Sequence, residues 1–514
     1  MESSRRKVAD IIDNVERKGA RLWIEQGRLA FRAPRGALSP EEITELRAVK
    51  DQIVGYLEAR KGELINESPT GPRAHRLPLS FSQLAHWNLY RLRDRPGIRQ
   101  VATATRLRGR LNVDVLQKCL KEVVRRHDAL RTRIVVSDGT PIQEVSPSVN
   151  FELQWSDLAA VMDGSRQNEL QRRIEEFLAQ PVCVTTEPLF AAMLFRLGET
   201  EHCLLMAAEH LISDGYSISI LLQEILAAYE QETKGGEIRL PAVSCQFSDY
   251  VAWQQRTQKL RAERNSGFWQ EVMQVRPVRF PPDRAREREG GTGWGAISIK
   301  VGQELDRALR ELCRAHKTTL PMVAFTIYGA AVLRWCQVPD GIIQYQGDGR
   351  FGAELERTVG YVASVLYPHI SVVEGDSFID LLKRVTNAYC VAYERNDYCY
   401  LESRLPRPEV ASNTAFNWIP NVFNSDLVDS DGVEPILDCS PIAFEHPIMR
   451  IMDRDDDPVI LLNDRGNDIV GELCFPLSRF SRHSMEAFAN SFLLMAREIV
   501  GRPDGRLSDI PFTD

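Results

Sequence analysis

The chain has 514 residues, of which 43% are hydrophobic and 26% are charged, and its formal net charge is −7 at neutral pH. These values are typical of a globular protein of about two to four domains, and they give no argument for binding nucleic acid or membranes. The sequence has no apolar run of the roughly 18 residues that a membrane helix needs. Its ten cysteines stand singly, without a Cys-x-x-Cys pair, so we predict no metal site and a reducing, cytoplasmic location.

Residues 1–60 are predicted to form a small domain of their own. Apolar residues recur at helical spacing between positions 8 and 15, which predicts a short amphipathic helix. Two short runs then flank a glycine-containing turn at residues 25–27, which is typical of a β-hairpin. Ser39 and Pro40 carry the signals that begin a helix, a capping serine followed by proline at the first helical position. The polar residues 61–76 that follow predict a flexible linker.

From residue 77 onward, predicted strands and helices alternate, which indicates an α/β fold. A charged helical stretch at 256–270 leads to proline-rich residues at 276–282, and this predicts a boundary between a first lobe, 77–265, and a second lobe, 266–514. The predicted strands of the first lobe lie at 103–108, 132–136 and 143–145, and its predicted helices at 114–126 and 167–179. The second lobe is expected to contain helices at 321–336 and 482–500 and a hairpin that turns at 463–467.

One stretch of the first lobe, residues 206–217, carries the clearest chemical signal. Apolar runs at 189–195 and 203–208 predict a buried β-hairpin, and apolar residues at helical spacing begin again at 218. His210 and Asp214 therefore lie in the loop that leads from a core strand to a helix, where catalytic side chains concentrate. Taken alone, a histidine in such a loop is more often structural than catalytic.

This stretch resembles the His-His-x-x-x-Asp-Gly motif of the condensation domains of nonribosomal peptide synthetases, a branch of the chloramphenicol-acetyltransferase-like acyltransferases. The second histidine, the aspartate and the glycine are kept as His210, Asp214 and Gly215, whereas Glu209 replaces the first histidine. Other family motifs recur in the right order, although the late ones, near 396–397 and 413–414, are degraded. The recognisable ones lie at 80–87, 126–132, 247–254 and 360–366, with Ala85 in place of an arginine and Ser364 in place of an asparagine.

The resemblance implies a fold of two chloramphenicol-acetyltransferase-like lobes, arranged as a V-shaped pseudo-dimer with the active site at their junction. It implies that His210 is the catalytic residue, which contacts the attacking N–H or O–H either as a general base or as a positioning group. It also implies that Asp214 is structural and forms an ion pair with Arg350.

Four further positions allow more than one interpretation. We interpret Glu209 as a residue that organises the loop, with a direct catalytic role as the alternative. Gly215 either lets the acceptor approach the backbone, or adopts a backbone conformation closed to other residues, or merely begins a helix. Trp418 and Ser364 are candidates for the lining of the acceptor channel, and for Trp418 simple packing is the alternative.

Residues 1–60 resemble the β-hairpin docking domains found at the N-termini of modular synthetase subunits, through residues 21–23, 32–36 and 38–40. In that family the hairpin edge adds a strand from the C-terminal tail of an upstream carrier-protein subunit. The resemblance implies an α-β-hairpin-α docking fold whose arginines form a positive margin, or whose arginines only protect an exposed strand edge. The candidate docking residues are Trp23, Arg28, Arg32 and Arg35.

The expected reaction is the transfer of an acyl group from a phosphopantetheinyl thioester to an amine or hydroxyl acceptor, in nonribosomal peptide or polyketide antibiotic biosynthesis. We expect no cofactor on this chain, because the partner carrier protein holds the phosphopantetheine. The acceptor is either carrier-bound or a free small molecule. Since the tail at 507–514 resembles the segment that leads out of a condensation domain, we expect a free-standing enzyme that acts in trans.

Two other functions stay open at this point. Glu209 and the degraded late motifs are compatible with a catalytically silent domain that recruits another enzyme to a carrier protein. Glu209, Asp214 and Ser217 also partly resemble the Asp-x-x-x-x-Asp-x-x-Ser motif of heterocyclisation domains, although those domains lack the intervening histidine.

Overall fold

The chain is described here by a computed structural model. It describes residues 21–25, 28–32, 40–59, 75–93, 97–148, 150–276, 278–283, 293–350, 352–395, 414–419, 436–442 and 457–512. The chain divides into two compact units, residues 1–73 together with 252–257, and residues 74–251 together with 258–514. The helix predicted at 8–15 and most of the predicted linker lie outside the described residues.

The smaller unit contains a β-hairpin followed by helices. Strands β1 (Arg21–Glu25) and β2 (Arg28–Arg32) are antiparallel, and Trp23 pairs with Ala30. The predicted second helix begins at Pro40 but is interrupted at Val49, which divides it into α1 (Pro40–Ala48) and α2 (Lys50–Ala59). Helix α2 packs against both strands. The hairpin prediction is confirmed. The interruption of the helix was not predicted, because Val49 is neither a proline nor a glycine.

The larger unit alternates strands and helices throughout. Its first half, residues 75–276, contains in order β3 (Arg76–Pro78), α3 (Phe81–Arg93), β4 (Gly97–Ile98), β5 (Val101–Arg108), α4 (Val113–Arg126), β6 (Thr132–Ser137), β7 (Thr140–Val145), β8 (Gln154–Asp157), α5 (Asp163–Ala179), β9 (Pro181–Val182), β10 (Phe190–Arg196), β11 (Glu201–Ala208), α6 (Gly215–Thr233) and α7 (Phe247–Gln274). The second half, residues 293–512, contains β12 (Trp294–Lys300), α8 (Gln303–His316), α9 (Leu320–Trp335), β13 (Asp340–Ile342), β14 (Gln344–Gly347), β15 (Ser364–Leu366), β16 (His369–Ser371), α10 (Phe378–Glu394), β17 (Ala415–Ile419), β18 (Asp438–Pro441), β19 (Val459–Asp464), β20 (Ile469–Pro476) and α11 (Arg482–Gly501).

Each half of this unit is built around one mixed sheet. The sheet of the first half has the strand order β18-β5-β11-β10-β8, in which β11 is antiparallel to both neighbours. The sheet of the second half has the order β12-β20-β19-β17-β14-β15. Helix α9 is buried along nearly its whole length in the core of the second half, where it packs on α10 and α11. The hydrophobic spacing that predicted α9 and α11 therefore reflects real burial.

A strand from the second half completes the sheet of the first half. Strand β18 pairs with β5, so that Asp438 lies opposite Arg108 and Pro441 opposite Thr105. The guanidinium of Arg108 contacts the carboxylate of Asp438 at 3.3 Å. Sequence patterns did not predict this strand, because the segment 438–441 has only four residues, is largely polar and ends in proline.

Most of the predicted helices and strands are present in the structure. The main difference is at the predicted boundary between the lobes. The buried hairpin predicted at 189–208 is confirmed as β10 and β11, and the final helix begins at Arg482 as predicted. Helix α7 runs without a break across residue 265, where the sequence placed the boundary between lobes. Its last helical residue is Gln274, directly before the proline-rich segment. Within the described residues, no helix combines the length and the apolar character needed to cross a bilayer.

Candidate active site

The loop between β11 and α6 is held in place by its own polar side chains. Strand β11 ends at Ala208, and Glu209 then caps a short 3-10 helix, residues His210–Ile212, by accepting a hydrogen bond from the Leu211 N–H. Asp214 caps α6 in the same way through the Ser217 N–H. Because capping side chains satisfy backbone donors that a helix start leaves open, the loop has a defined geometry.

Helix α3 supports this loop from a neighbouring segment. Ser80 and Gln83 form reciprocal hydrogen bonds at the start of the helix, at 2.8 and 3.1 Å. The side-chain amide of Gln83 then donates to the carbonyl of Leu211 at 2.7 Å. The motif at residues 80–87 therefore positions the histidine loop.

His210 is half-buried and uses one ring nitrogen to fix its own orientation. Its Nδ1 lies 2.8 Å from the carbonyl oxygen of Ser213, so Nδ1–H donates and the lone pair lies on Nε2. Among the described residues, Nε2 has no hydrogen-bond partner. The ring packs against that of Tyr361 at a centroid distance of 4.1 Å, with the two planes tilted by 34°, and lies 5.4 Å from the ring of His86. The arrangement presents one oriented, basic nitrogen.

The surroundings of His210 favour its neutral form. Burial lowers the pKa of His210, and the neighbouring His86 lowers it further, whereas Glu209 and Asp214 act in the opposite direction. The net effect is a pKa below the ordinary value of histidine. Since only the neutral ring has a free lone pair, His210 can accept a proton at neutral pH.

Asp214 is fully occupied by structural contacts. Its carboxylate accepts six hydrogen bonds, two from Ser217, two from the guanidinium of Arg350, and one each from the Val362 and Ala363 N–H groups. These contacts are 2.7 to 3.1 Å long. Burial alone would raise the pKa of Asp214, but the charge and hydrogen bonds of Arg350 and Ser217 outweigh it, and the pKa is lowered. A carboxylate with every lone pair engaged fixes geometry and does not transfer protons.

Arg350 reaches Asp214 from the second half of the unit. It also donates to the carbonyl oxygens of Asp348 and Thr358, both at 2.8 Å. The backbone before it turns at Gly349, whose φ is +68° and where any side chain would clash with the carbonyl of Val362. The buried ion pair, 3.0 Å between Arg350 Nη2 and Asp214 Oδ1, therefore joins the two halves beside His210. We refer to Asp214, Ser217, Arg350 and residues 360–363 as the clasp.

Comparison with known proteins identifies the family of the chain and supports its fold. Residues 73–514 match the family described as "Condensation domain", and residues 8–59 match the "TubC N-terminal docking domain". The chain belongs to the condensation-domain family. It is 25% identical over 479 residues to bacitracin synthase 2 of Bacillus licheniformis, a match that covers 91% of this chain but only 17% of that much longer protein.

Solved structures with the same fold include condensation domains and an X-domain. The first condensation domain of the calcium-dependent antibiotic synthetase, in complex with a substrate analogue, aligns with a TM-score of 0.70 at 20% identity, over 86% of this chain and all of that one. The X-domain of teicoplanin biosynthesis, in complex with OxyB, aligns with a TM-score of 0.66 at 22% identity, over 87% and 97% of the two chains. The larger unit therefore has the chloramphenicol-acetyltransferase-like fold of this family.

Glu209, which replaces the first histidine of the family motif, is completely buried. Its carboxylate accepts a hydrogen bond from the Gln100 side chain at 3.3 Å and lies 3.6 Å from Nε2 of His86. The Gln100 amide also lies 2.8 Å from His86 Nε2. Sequence reasoning did not single out His86 or Gln100, because they come from segments more than 100 residues before Glu209. Only the position of His86 within a recognisable motif could have drawn attention to it.

The remaining predicted residues of the site have different surroundings. Gly215 begins α6 with an ordinary φ, so the idea that it needs a special backbone conformation is wrong. Its position is exposed, and a Cβ built on it would meet no atom within 4 Å. Trp418 stacks on Phe416 and packs against the core of the second half, so its contacts fit the alternative of simple packing. Ser364 lies in β15, and its buried hydroxyl makes no hydrogen bond with the described residues.

The candidate docking residues belong to the smaller unit. Trp23 lies in β1, and Arg28 and Arg32 are the first and last residues of β2. Arg35 lies outside the described residues. Among the residues that the structure covers, no group of three His, Cys, Asp or Glu side chains is arranged to hold a metal ion.

Proposed function

We propose that this chain transfers an acyl group from a phosphopantetheinyl thioester on a carrier protein to an amine or hydroxyl acceptor. Membership of the condensation-domain family supports bond formation in peptide biosynthesis. The observation that carries the proposal is the orientation of His210, whose Nδ1–H is bound to Ser213 while Nε2 has no partner among the described residues.

In this proposal Nε2 of His210 accepts the proton of the attacking N–H or O–H as the nucleophile bonds to the thioester carbonyl carbon. The C–S bond of the resulting tetrahedral intermediate then breaks, and the leaving thiolate takes the proton back from the imidazolium. Atoms and charge balance without a cofactor on this chain. Because the thioester is already activated, orientation and one proton transfer are sufficient contributions.

We further propose that the donor carrier protein arrives on a separate polypeptide and is recruited by the smaller unit. The docking-domain match over residues 8–59 supports this, and a hairpin that has only two strands among the described residues suits strand addition by a C-terminal tail. Charge complementarity with Arg28, Arg32 and Arg35 would favour an acidic tail. The cytoplasmic location expected from the sequence stays a prediction.

The direct test is a reconstituted reaction of the full chain with an acyl-loaded carrier protein and a panel of amine and hydroxyl acceptors. Loss of the acyl group from the carrier and formation of product are followed by intact-protein mass spectrometry. We expect His210→Ala to lower the rate by about a hundred- to ten-thousand-fold. His369→Ala, which removes an exposed histidine paired with Asp340, is the matched control and should leave the rate unchanged. An unchanged rate in His210→Ala would refute the proposal.

A second candidate is a silent recruitment domain, because the X-domain that shares this fold was solved in complex with another protein, OxyB. Binding to a carrier protein or a partner enzyme without His210-dependent turnover would favour it. Heterocyclisation is less well supported, because Glu209 and Ser217 are both fully buried and Ser217 is occupied within the clasp. Formation of a dehydrated ring product from Cys, Ser or Thr acceptors would revive it.

A further inference from the structure

Three buried polar side chains from separate segments meet beside the ring of His210. They are His86 on α3, Gln100 just before β5, and Glu209 directly after β11, with 7%, 2% and 0% of their surfaces exposed. The Gln100 amide contacts both of the others, at 2.8 Å to His86 and 3.3 Å to Glu209. A buried carboxylate is costly unless it is paired and hydrogen-bonded. The His86 ring is therefore linked to the Glu209 carboxylate through the side-chain amide of Gln100.

The same histidine is part of an aromatic group around His210. The rings of His86 and Tyr361 lie on the first and second halves of the unit, at 5.4 and 4.1 Å from that of His210 and 6.0 Å from each other. Helix α3 also packs on the 3-10 helix that carries His210. His86 thus contacts the proposed base from a segment that is separate from the clasp.

We propose that His86 is a positioning residue for His210, held beside the catalytic ring by Glu209 and Gln100. This inference rests on the proposed function, in which His210 is the base. The inference also explains the departure from the family motif. Where the motif has a histidine, this chain has the carboxylate of Glu209. The imidazole beside His210 is supplied instead by His86. His86 and Glu209 then act as one unit, and each depends on the other.

The charges around His210 make its pKa a measurable test of this arrangement. The titratable or charged groups that face it are His86 from α3, Glu209 and Asp214 from its own loop, Arg350 behind Asp214, and Tyr361 from the second half. His86 lowers the pKa of His210, whereas Glu209 raises it. Removing one or the other should therefore move the pKa of His210 in opposite directions, which general damage to the site would not do.

The first experiment measures this without any turnover. The full chain, which has nine histidines, is labelled with [13C]histidine and titrated by NMR, and His210 is assigned from the signal missing in His210→Gln. We expect a higher pKa of His210 in His86→Leu and a lower one in Glu209→Gln. Unchanged values, or shifts in the same direction, would overturn the inference. If His86→Leu does not fold, His86→Gln, which keeps a side chain able to bond to Glu209 and Gln100, takes its place.

The second experiment measures the rate of acyl transfer. In His86→Leu we expect kcat to fall by about ten- to a hundred-fold, the KM for the acceptor to change less than about two-fold, and the acid limb of the pH profile to move to higher pH. His202→Leu removes another buried histidine, at the far end of β11, and should change none of these.

A failure of the proposed function can be distinguished from a failure of the positioning role of His86. A wild-type chain that transfers no acyl group would refute the proposed function, while the NMR titration would still decide whether His86 and Glu209 act on His210. A wild-type chain that turns over, combined with an unchanged kcat and pH profile in His86→Leu, would overturn the positioning role alone.

Discussion

Two buried carboxylates lie five positions apart in one loop and are compensated in different ways. Asp214 is bound by the guanidinium of Arg350, by Ser217 and by two backbone N–H groups of the second half. Glu209 faces the amide of Gln100 and the imidazole of His86, both from the first half. The partner of Asp214 is always charged, whereas a histidine carries a charge only when it is protonated.

This difference assigns different tasks to the two ends of the loop. The clasp around Asp214 fixes the relation between the halves and leaves no lone pair for chemistry. The group around Glu209 lies within one half. Beside the larger effect of burial, His86 and Glu209 act on the pKa of His210, which stands between the two carboxylates in sequence. Substitutions should therefore affect stability most at the clasp, and the pKa of His210 should depend more on Glu209 than on Asp214.

The largest loss of stability is expected from breaking the clasp. Arg350→Met leaves the Asp214 carboxylate buried without its countercharge, which should lower the free energy of unfolding by about 3–5 kcal/mol. Arg482→Met, which removes an exposed pair with Glu486, is the control and should cost less than about 0.5 kcal/mol. Denaturant titration of the full chain measures both. Equal effects of the two substitutions would mean that Asp214 and Arg350 do not hold the halves together.

A smaller loss is expected at the other carboxylate. Glu209→Gln keeps the size of the side chain and a carbonyl oxygen that can accept from Leu211 or Gln100, so we expect a loss of about 1–2 kcal/mol. The same denaturant titration gives the value. A loss as large as that of Arg350→Met would remove the contrast between the two ends of the loop.

The clasp should also respond to acid in a defined direction. The pKa of Asp214 is lowered in the folded protein, so its charge stabilises the fold at every pH above its unfolded value, and this contribution disappears as the pH falls through the lowered folded value. Asp214→Asn removes the titration. The difference in unfolding free energy between wild type and this variant should stay constant above about pH 5 and shrink towards pH 3. A difference that grows on acidification would show that Asp214 is protonated in the folded protein.

The smallest effect on stability is expected at Gly215. Its φ is ordinary and a Cβ would meet open space, so Gly215→Ala should change the unfolding free energy by no more than about 1 kcal/mol, and in the stabilising direction. If the space in front of Gly215 admits the acceptor, the KM for the acceptor will rise while kcat stays near its original value. Steady-state kinetics against acceptor concentration separate the two parameters. An unchanged KM would assign Gly215 to the start of the helix and nothing more.

Sequence reasoning identified the residues of the site that belong to recognisable motifs. His210 and Asp214 share a stretch of five residues, and Arg350 follows a recognisable Gly-Asp-Gly turn, so the motifs placed all three. The hydrophobic period likewise placed β10, β11 and the long helices, because their burial follows from the spacing of apolar residues.

Tertiary contacts between polar residues could not be predicted in the same way. His86 and Gln100 approach Glu209 only because α3 and β5 lie beside β11 in the folded unit. The packing of Tyr361 against His210 depends on contact between the two halves, which no local pattern encodes. The residues that surround His210 thus depend on packing, whereas His210, the proposed base, is identified by its motif.

The pairing of β18 with β5 has a consequence for how the chain is made. Arg108 and its partner Asp438 are 330 residues apart, and at a synthesis rate of about 5–20 residues per second the ribosome needs on the order of 15–65 s to cover that distance. Throughout that interval the outer edge of β5 emerges without its neighbour and is open to pairing with other nascent chains. The first sheet therefore cannot be completed during translation until residues 438–441 have left the exit tunnel, so we expect substitutions along β5 to affect expression yield as well as final stability.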